Sequence, residues 1–371
     1  INTIASAYNY NTKTDVVSAR IRKYESARAA ALSGDNIPAE VYDNLVAEVH
    51  KNLPAMHRYV ELRKKLLGVD KLYMYDMYVP LIKLPETSVS FEEGLDIMRD
   101  ALQPLGEEYL TKMNKGIEEG WIDVYENKGK TSGAYSFGCY DSYPYILLNY
   151  TDTLKDVFTI IHEMGHSMHS RYTRDEQPYI YGSHSIFTAE VASTVNESLL
   201  MQHLLRTEDE KEMRKYLLNM HLEEFRTTLF RQTMFAEFED ITHKAIESGE
   251  TLTAEWMCQQ YEDLNAQYYG SAVEKDDVIR YEWARIPHFY NAFYVYQYAT
   301  GFSSAVAIAN RILTTGDPSD YLRFLTLGGS DYPLAELKVA GVDLTKPEAV
   351  LSALDVFQAS LDELEALLKE I

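Results

Sequence analysis

Cysteine is nearly missing: Cys139 and Cys258 are the only two in 371 residues. That is too few, and too widely spaced, for a disulfide framework or a thiolate metal site, and it fits a reducing compartment, the cytoplasm. Long apolar runs are absent too, so no helical membrane span is expected. The opening INTIASAYNYNTKTD has neither an initiator methionine nor the basic-then-apolar layout of a signal peptide, which suggests a processed chain or a fragment. Basic residues are scarce: 35 Lys and Arg stand against 57 Asp and Glu, a formal net charge of −22. Such a surface repels phosphate backbones and anionic lipid, so neither nucleic acid nor membrane is an expected partner. No internal repeat or low-complexity tract is present, and the length permits one large domain or two lobes.

What the chain does have is helical periodicity. Val41, Leu45, Val49 and Leu53 form one stripe, which Pro54 is expected to interrupt or kink before the pattern resumes to a stop at Gly68. Ser90 caps a further helix, and Pro104 breaks it from a second one ending near Gly120. A single long pattern runs from about Glu208 to Glu247. Another helix is capped by Thr251 or Thr253, and the C-terminal segment reads as one or two amphipathic helices. The stretch from Tyr321 to Glu348 is rich enough in Gly and Pro to read as a loop. One region departs from the rule: Trp121 to Tyr150 reads as a small sheet of two or three strands feeding directly into the next helix. The fold class is therefore mainly α with a small sheet. It is organised as a single domain over 1–371, with a helical portion over 1–120 and the sheet plus a helical core over 121–371.

The motif HEMGH occupies residues 162–166 on that next helix. Positions four apart lie about 40° apart around a helix, so His162 and His166 project side by side and can offer two nitrogens to one metal. Glu163 stands beside them, placed to act as a base rather than a ligand. Two histidines with an adjacent carboxylate is the layout a zinc peptidase needs. Zinc requires a third protein ligand, with the fourth position left for water. Glu190 follows His162 by 28 residues across a linker containing Pro178 and Gly182, and is a good third ligand. Glu197, two turns on, falls on the same face, where it either hydrogen-bonds a ligand histidine or is an ordinary solvated glutamate. His169 reads as a satisfied polar residue beyond the site, and His184 as a loop histidine. A third cluster, His288, Tyr290, Tyr294, Tyr296 and Tyr298, is either an aromatic core stripe or a set of oxyanion donors. Spacing does not decide between them.

The segments HEMGHSMHS, TAEVASTVNES, RIPHFYNAFYVYQYATG and GGSDYPLAELKVAGVDLTKPE together resemble oligoendopeptidase F, of the thimet-oligopeptidase-like zinc metallopeptidases. The resemblance covers most of the chain. It implies a zincin-type helical fold with a deep substrate channel and one Zn2+ ion held by His162, His166 and Glu190, with Glu163 as general base. It also implies that His288 and a phenol of the late helix act on the substrate carbonyl. Tyr296 is favoured for that phenol, with Tyr290 and Tyr294 kept as further contacts. Around GAYSFG, an edge strand at Gly133, Ala134 and Tyr135 can pair with an extended peptide, and Gly133 and Gly138 permit close backbone approach. Short peptides are the implied substrates; oligomeric state is left open. Members of the family carry a further helical lobe upstream, and this chain begins after most of it. Two alternatives remain: a dipeptidyl carboxypeptidase resembling angiotensin-converting enzyme, which shares HEMGH and a glutamate at the same distance, and an inactive helical zinc-binding protein.

Overall fold

The stripe Val41, Leu45, Val49 and Leu53 is buried along one face of the helix Ala39–Leu67 in the computed structural model, which describes residues 1–83 and 88–369. That helix runs unbroken through Pro54. Its apolar face continues beyond the proline at Met56, Tyr59 and Val60, all fully buried, so packing offsets the lost hydrogen bond that would otherwise end the helix. It stops where expected, at Gly68 in the left-handed conformation (φ 65°).

The chain divides into two compact units, each assembled from separate stretches: residues 1–83, 219–300 and 345–369 in one, 88–218 and 301–344 in the other. The change from helical to strand-like pattern near residue 120 is thus not where the units part. The long pattern after Glu208 resolves into the helix Lys211–Phe225, a π-helical turn Arg226–Phe230 and the helix Arg231–Glu247. Thr253 is the cap of the helix Ala254–Tyr269, its hydroxyl accepting from the Trp256 amide. The C-terminal segment is one helix, Glu348–Lys369.

In the second unit, Ser90 and Glu93 form a reciprocal capping box at the start of the helix Phe91–Ala101. Three short strands follow: β1 Ile122–Asp123, β2 Tyr135–Phe137 and β3 Tyr145–Leu147. Their order is β1-β3-β2, with β1 parallel and β2 antiparallel to the central β3, so β2 is an edge strand. The chain then enters the helix Leu154–Glu176, capped by Thr153 and Asp156 in a second capping box. The stretch read as a loop after Tyr321 instead contains two short helices, Ser319–Leu325 and Pro333–Val339. Pro333 sits at the first helical position, where its missing N–H costs nothing, so the proline that suggested a loop is a helix start.

Candidate metal centre

The helix Leu154–Glu176 buries Val157, Ile160, Ile161, Met164 and Met168. His162 and His166 emerge one turn apart, ring centroids 4.9 Å from each other and nearly perpendicular at 82°. The helix Val191–Thr207 packs tightly on this one, and Gly165 is what allows it. A Cβ there would lie 2.5 Å from the Ser193 Cα and 2.7 Å from the Ala192 carbonyl oxygen, both backbone atoms that cannot step aside. The fully buried Asn196 ties the pair further, donating its amide to the Ile161 carbonyl at 3.2 Å. Glu190 stands at the junction between the short helix Ile186–Ala189 and the helix Val191–Thr207.

The Glu190 Oε2 lies 3.4 Å from Nε2 of His162 and 3.4 Å from Nε2 of His166. Donor atoms of these three residues fall within 4.8 Å of one another, and they form the sole such grouping with metal-ligand chemistry among the described residues. Ligands about 2.0–2.1 Å from a tetrahedral zinc stand roughly 3.3 Å apart, so the donor set fits that ion. On its other nitrogen, Nδ1, His162 meets Glu197 Oε2 at 3.1 Å. A carboxylate there keeps the proton on Nδ1 and leaves Nε2, on the Glu190 side, as the nitrogen that can bind a metal. Burial opposes charge on His162, yet hydrogen bonds and attraction from Glu190 and Glu197 raise it to about 10 in the metal-free protein. Burial likewise opposes charge on Glu190, but the two histidines hold its carboxyl far below the usual range.

Glu163 is 7% exposed, and burial pushes its carboxyl up from the ordinary value. The edge strand meets it: the Ser136 backbone amide faces the Glu163 carboxylate. Ser136 is itself pinned, its Oγ 2.8 Å from the Oγ of the fully buried Ser167, which donates to the Pro144 carbonyl at 3.1 Å. Neither serine stood out in the sequence; the signal available was only that Ser167 lies one turn beyond Glu163 on the same helix face. Gly133 adopts φ 88°, and Tyr135 is 48% exposed on the edge strand. Gly138 is required by close approach: a Cβ would sit 2.3 Å from the Tyr143 carbonyl oxygen. His169 is not the satisfied polar residue expected. It is buried and stacked on His184, centroids 4.0 Å apart, and neither Nδ1 has a partner among the described residues. Burial keeps both rings neutral, with His184 pushed down to about 4.

The late aromatic cluster belongs to the other unit. His288 is exposed, its ring stacked near Tyr294 at 6.0 Å between centroids. The Tyr298 hydroxyl lies 3.4 Å from His288 Nε2 and 3.5 Å from the Tyr294 hydroxyl. Tyr296, the phenol favoured by the resemblance, goes elsewhere: it is 2% exposed, with its ring 5.2 Å from that of Tyr42, and burial pushes its hydroxyl up. Tyr290 is 43% exposed, edge-on to Tyr8. The Tyr294 and Tyr298 rings meet at 5.5 Å between centroids, whereas Tyr296, two residues before Tyr298 on the helix Tyr296–Thr315, points about half a turn away.

A family model described as peptidase family M3 matches residues 2–356. Oligopeptidase PepF of Bacillus subtilis is 51% identical over 372 residues, covering 100% of this chain and 56% of that protein. The oligoendopeptidase F homolog of Lactococcus lactis is 46% identical over 371 residues, covering 100% of this chain and 62% of that protein. Among solved structures, oligoendopeptidase-F from Enterococcus faecium superposes with a TM-score of 0.82 at 41% identity, covering 100% of this chain and 60% of that one. The chain therefore spans about six-tenths of the length of the curated relatives it matches.

Proposed function

We propose a function from one premise: the chain belongs to peptidase family M3. It is the metal-binding, bond-cleaving part of a zinc-dependent oligoendopeptidase that hydrolyses internal bonds of short peptides. The observation that carries this reading is the convergence of His162, His166 and Glu190 beside a buried carboxylate, Glu163, that is not one of the three. A structural metal site needs no such neighbour; a hydrolytic one does. The oligopeptidase names of the relatives supply the substrate class.

His162, His166 and Glu190 would hold the ion, and two imidazoles with one carboxylate favour zinc. When bound, it supplies Lewis-acid chemistry, acidifying water and polarising a carbonyl. Glu163 takes the proton of the attacking water and returns it to the leaving nitrogen. Its raised affinity for a proton, from burial, suits it to hold that proton between the two events. Glu197 keeps the His162 ring in the ligating tautomer and orientation. The free edge of β2, entered through Gly133 and Ala134 and beginning at Tyr135, pairs with the extended peptide backbone. His288 and Tyr298, with Tyr294 behind them, donate hydrogen bonds to the substrate carbonyl as it gains charge.

Glu163→Gln tests the reading. Metal content by elemental analysis should stay at one ion per chain while kcat on a quenched peptide falls by roughly 100- to 10,000-fold. Cleavage at the wild-type rate would remove Glu163 as the base. Product masses from amidated and free peptides should both show internal cuts; release of dipeptides from free C-termini alone would move the chain to the carboxypeptidase reading.

A further inference from the structure

We propose that Glu239 is a positioning residue for the His288 group: its buried side chain holds Phe293 in a left-handed backbone conformation and so fixes the loop that carries His288 and Tyr294 and leads into Tyr298. The proposal rests on the reading of these three residues as donors to the substrate.

Four non-glycine residues among those described have positive φ, and Phe293, at 56°, is the only aromatic one. Large L-residues avoid this region because Cβ crowds the backbone, and they hold it only where the surroundings enforce it. Here the enforcement is visible. The Phe293 N–H donates to Glu239 Oε1 at 2.8 Å. The Phe293 ring is 2% exposed, set against His243 at 4.6 Å and Tyr42 at 6.0 Å between centroids. Four residues earlier, Phe289 is buried against Phe238 and Phe235, at 5.1 and 5.5 Å. The loop is thus nailed at two phenylalanines, and His288, Tyr290 and Tyr294 are the residues it turns outward between and beside them.

Glu239 has no other evident duty. It is 0% exposed on the helix Arg231–Glu247, a position where packing alone would select an apolar residue. Its second oxygen, Oε2, is buried with no hydrogen-bond partner among the described residues. Burial pushes the carboxyl well above its usual range, and its Oε1 is the atom that accepts from Phe293. A buried acid kept in the core for one backbone N–H, at a strained residue beside the donors, is a device for setting that backbone. The Phe293 amide needs a side-chain partner because the loop's own turn bonds, Asn291 N–H to His288 O and Tyr294 N–H to Asn291 O, pass it by.

The test compares Glu239→Leu and Glu239→Gln in the zinc-loaded protein. Leucine fills the space but cannot accept; glutamine keeps the oxygen. Amide exchange of the peptide covering residues 287–295, read by mass spectrometry, should accelerate in Glu239→Leu and stay slow in Glu239→Gln. In parallel, kcat should fall about 10- to 100-fold with leucine, with KM and metal content unchanged, and return with glutamine. If the leucine variant does not fold, Glu239→Asp, whose carboxyl stops one methylene short, should give the same split. Slow exchange and full kcat without the acceptor would overturn the proposal, as would equal damage from glutamine and leucine. His288→Ala and Tyr298→Phe run alongside separate the two ideas: unchanged kcat in both sinks the donor reading, whereas unchanged exchange in Glu239→Leu sinks the latch.

Discussion

Tyr296 and Tyr298 stand two residues apart and meet opposite fates, one ring closed into the core against Tyr42, the other hydroxyl beside His288. Their substitutions should separate cleanly. Tyr298→Phe should lower kcat by about 100-fold with little change in KM, the signature of a donor used only as charge develops. Tyr296→Phe should leave kcat near wild type and cost about 1 kcal/mol of stability, read from denaturant unfolding. A loss of turnover in Tyr296→Phe matching that of Tyr298→Phe would restore the sequence expectation. At the centre itself, Glu190→Ala should leave two histidines facing each other without their shared carboxylate. Metal affinity by competition with a chelator should drop by orders of magnitude, while the circular dichroism spectrum stays helical.

At the scale of elements, the contact between the helices Leu154–Glu176 and Val191–Thr207 decides whether the three ligands meet. Gly165 sits at its closest point, and the atoms a Cβ would strike belong to the partner backbone. Gly165→Ala must therefore push the helices apart. It should destabilise by about 1–3 kcal/mol and weaken zinc binding, although no ligand has changed. A variant with wild-type melting temperature and metal affinity would show that the helices can relax around the methyl group. Periodicity made both helices legible, and HEMGH with a glutamate 28 residues on named three candidate ligands whose donor atoms converge. The role of its glycine was not legible, because a tight crossing is a property of two backbones. Similarly, Pro54 and the Gly- and Pro-bearing stretch after Tyr321 misled local reading: burial carried one helix through its proline, and Pro333 began another.

For the whole molecule, the charges of the centre link folding, pH and metal. His162 is raised from 6.5 to about 10 in the metal-free protein, so its contribution is complete below pH 6.5 and is lost as pH rises through about 10. Glu190 is shifted down from 4.5, so its contribution is present above pH 4.5 and fades on acidification below it. The stabilisation of the metal-free protein by this group therefore peaks between about pH 4.5 and 6.5. Metal binding needs neutral imidazoles and displaces the His162 proton, so stabilisation by metal should grow with pH instead. Melting temperatures with chelator, taken as wild type minus Glu190→Ala, should decline from pH 6.5 to 9. At a fixed zinc concentration a thousand times the Kd at pH 7, loading should add about 4 kcal/mol at that pH, more at pH 8 and less at pH 6. A metal increment that shrinks over that range would contradict the donor set.

The sequence alone determined the helical architecture, the small sheet before HEMGH and the choice of His162, His166 and Glu190 as candidate ligands. Those features depend on periodicities and spacings within one stretch of chain. Only the tertiary structure decided which phenol faces His288, that Ser136 and Ser167 set the edge strand against Glu163, and that Glu239 reaches the Phe293 backbone. The Ser136–Ser167 and Glu239–Phe293 contacts join segments far apart in sequence, chosen by which surfaces bury together, and no local pattern encodes them; Tyr298 is left beside His288 because Tyr296 packs against the distant Tyr42.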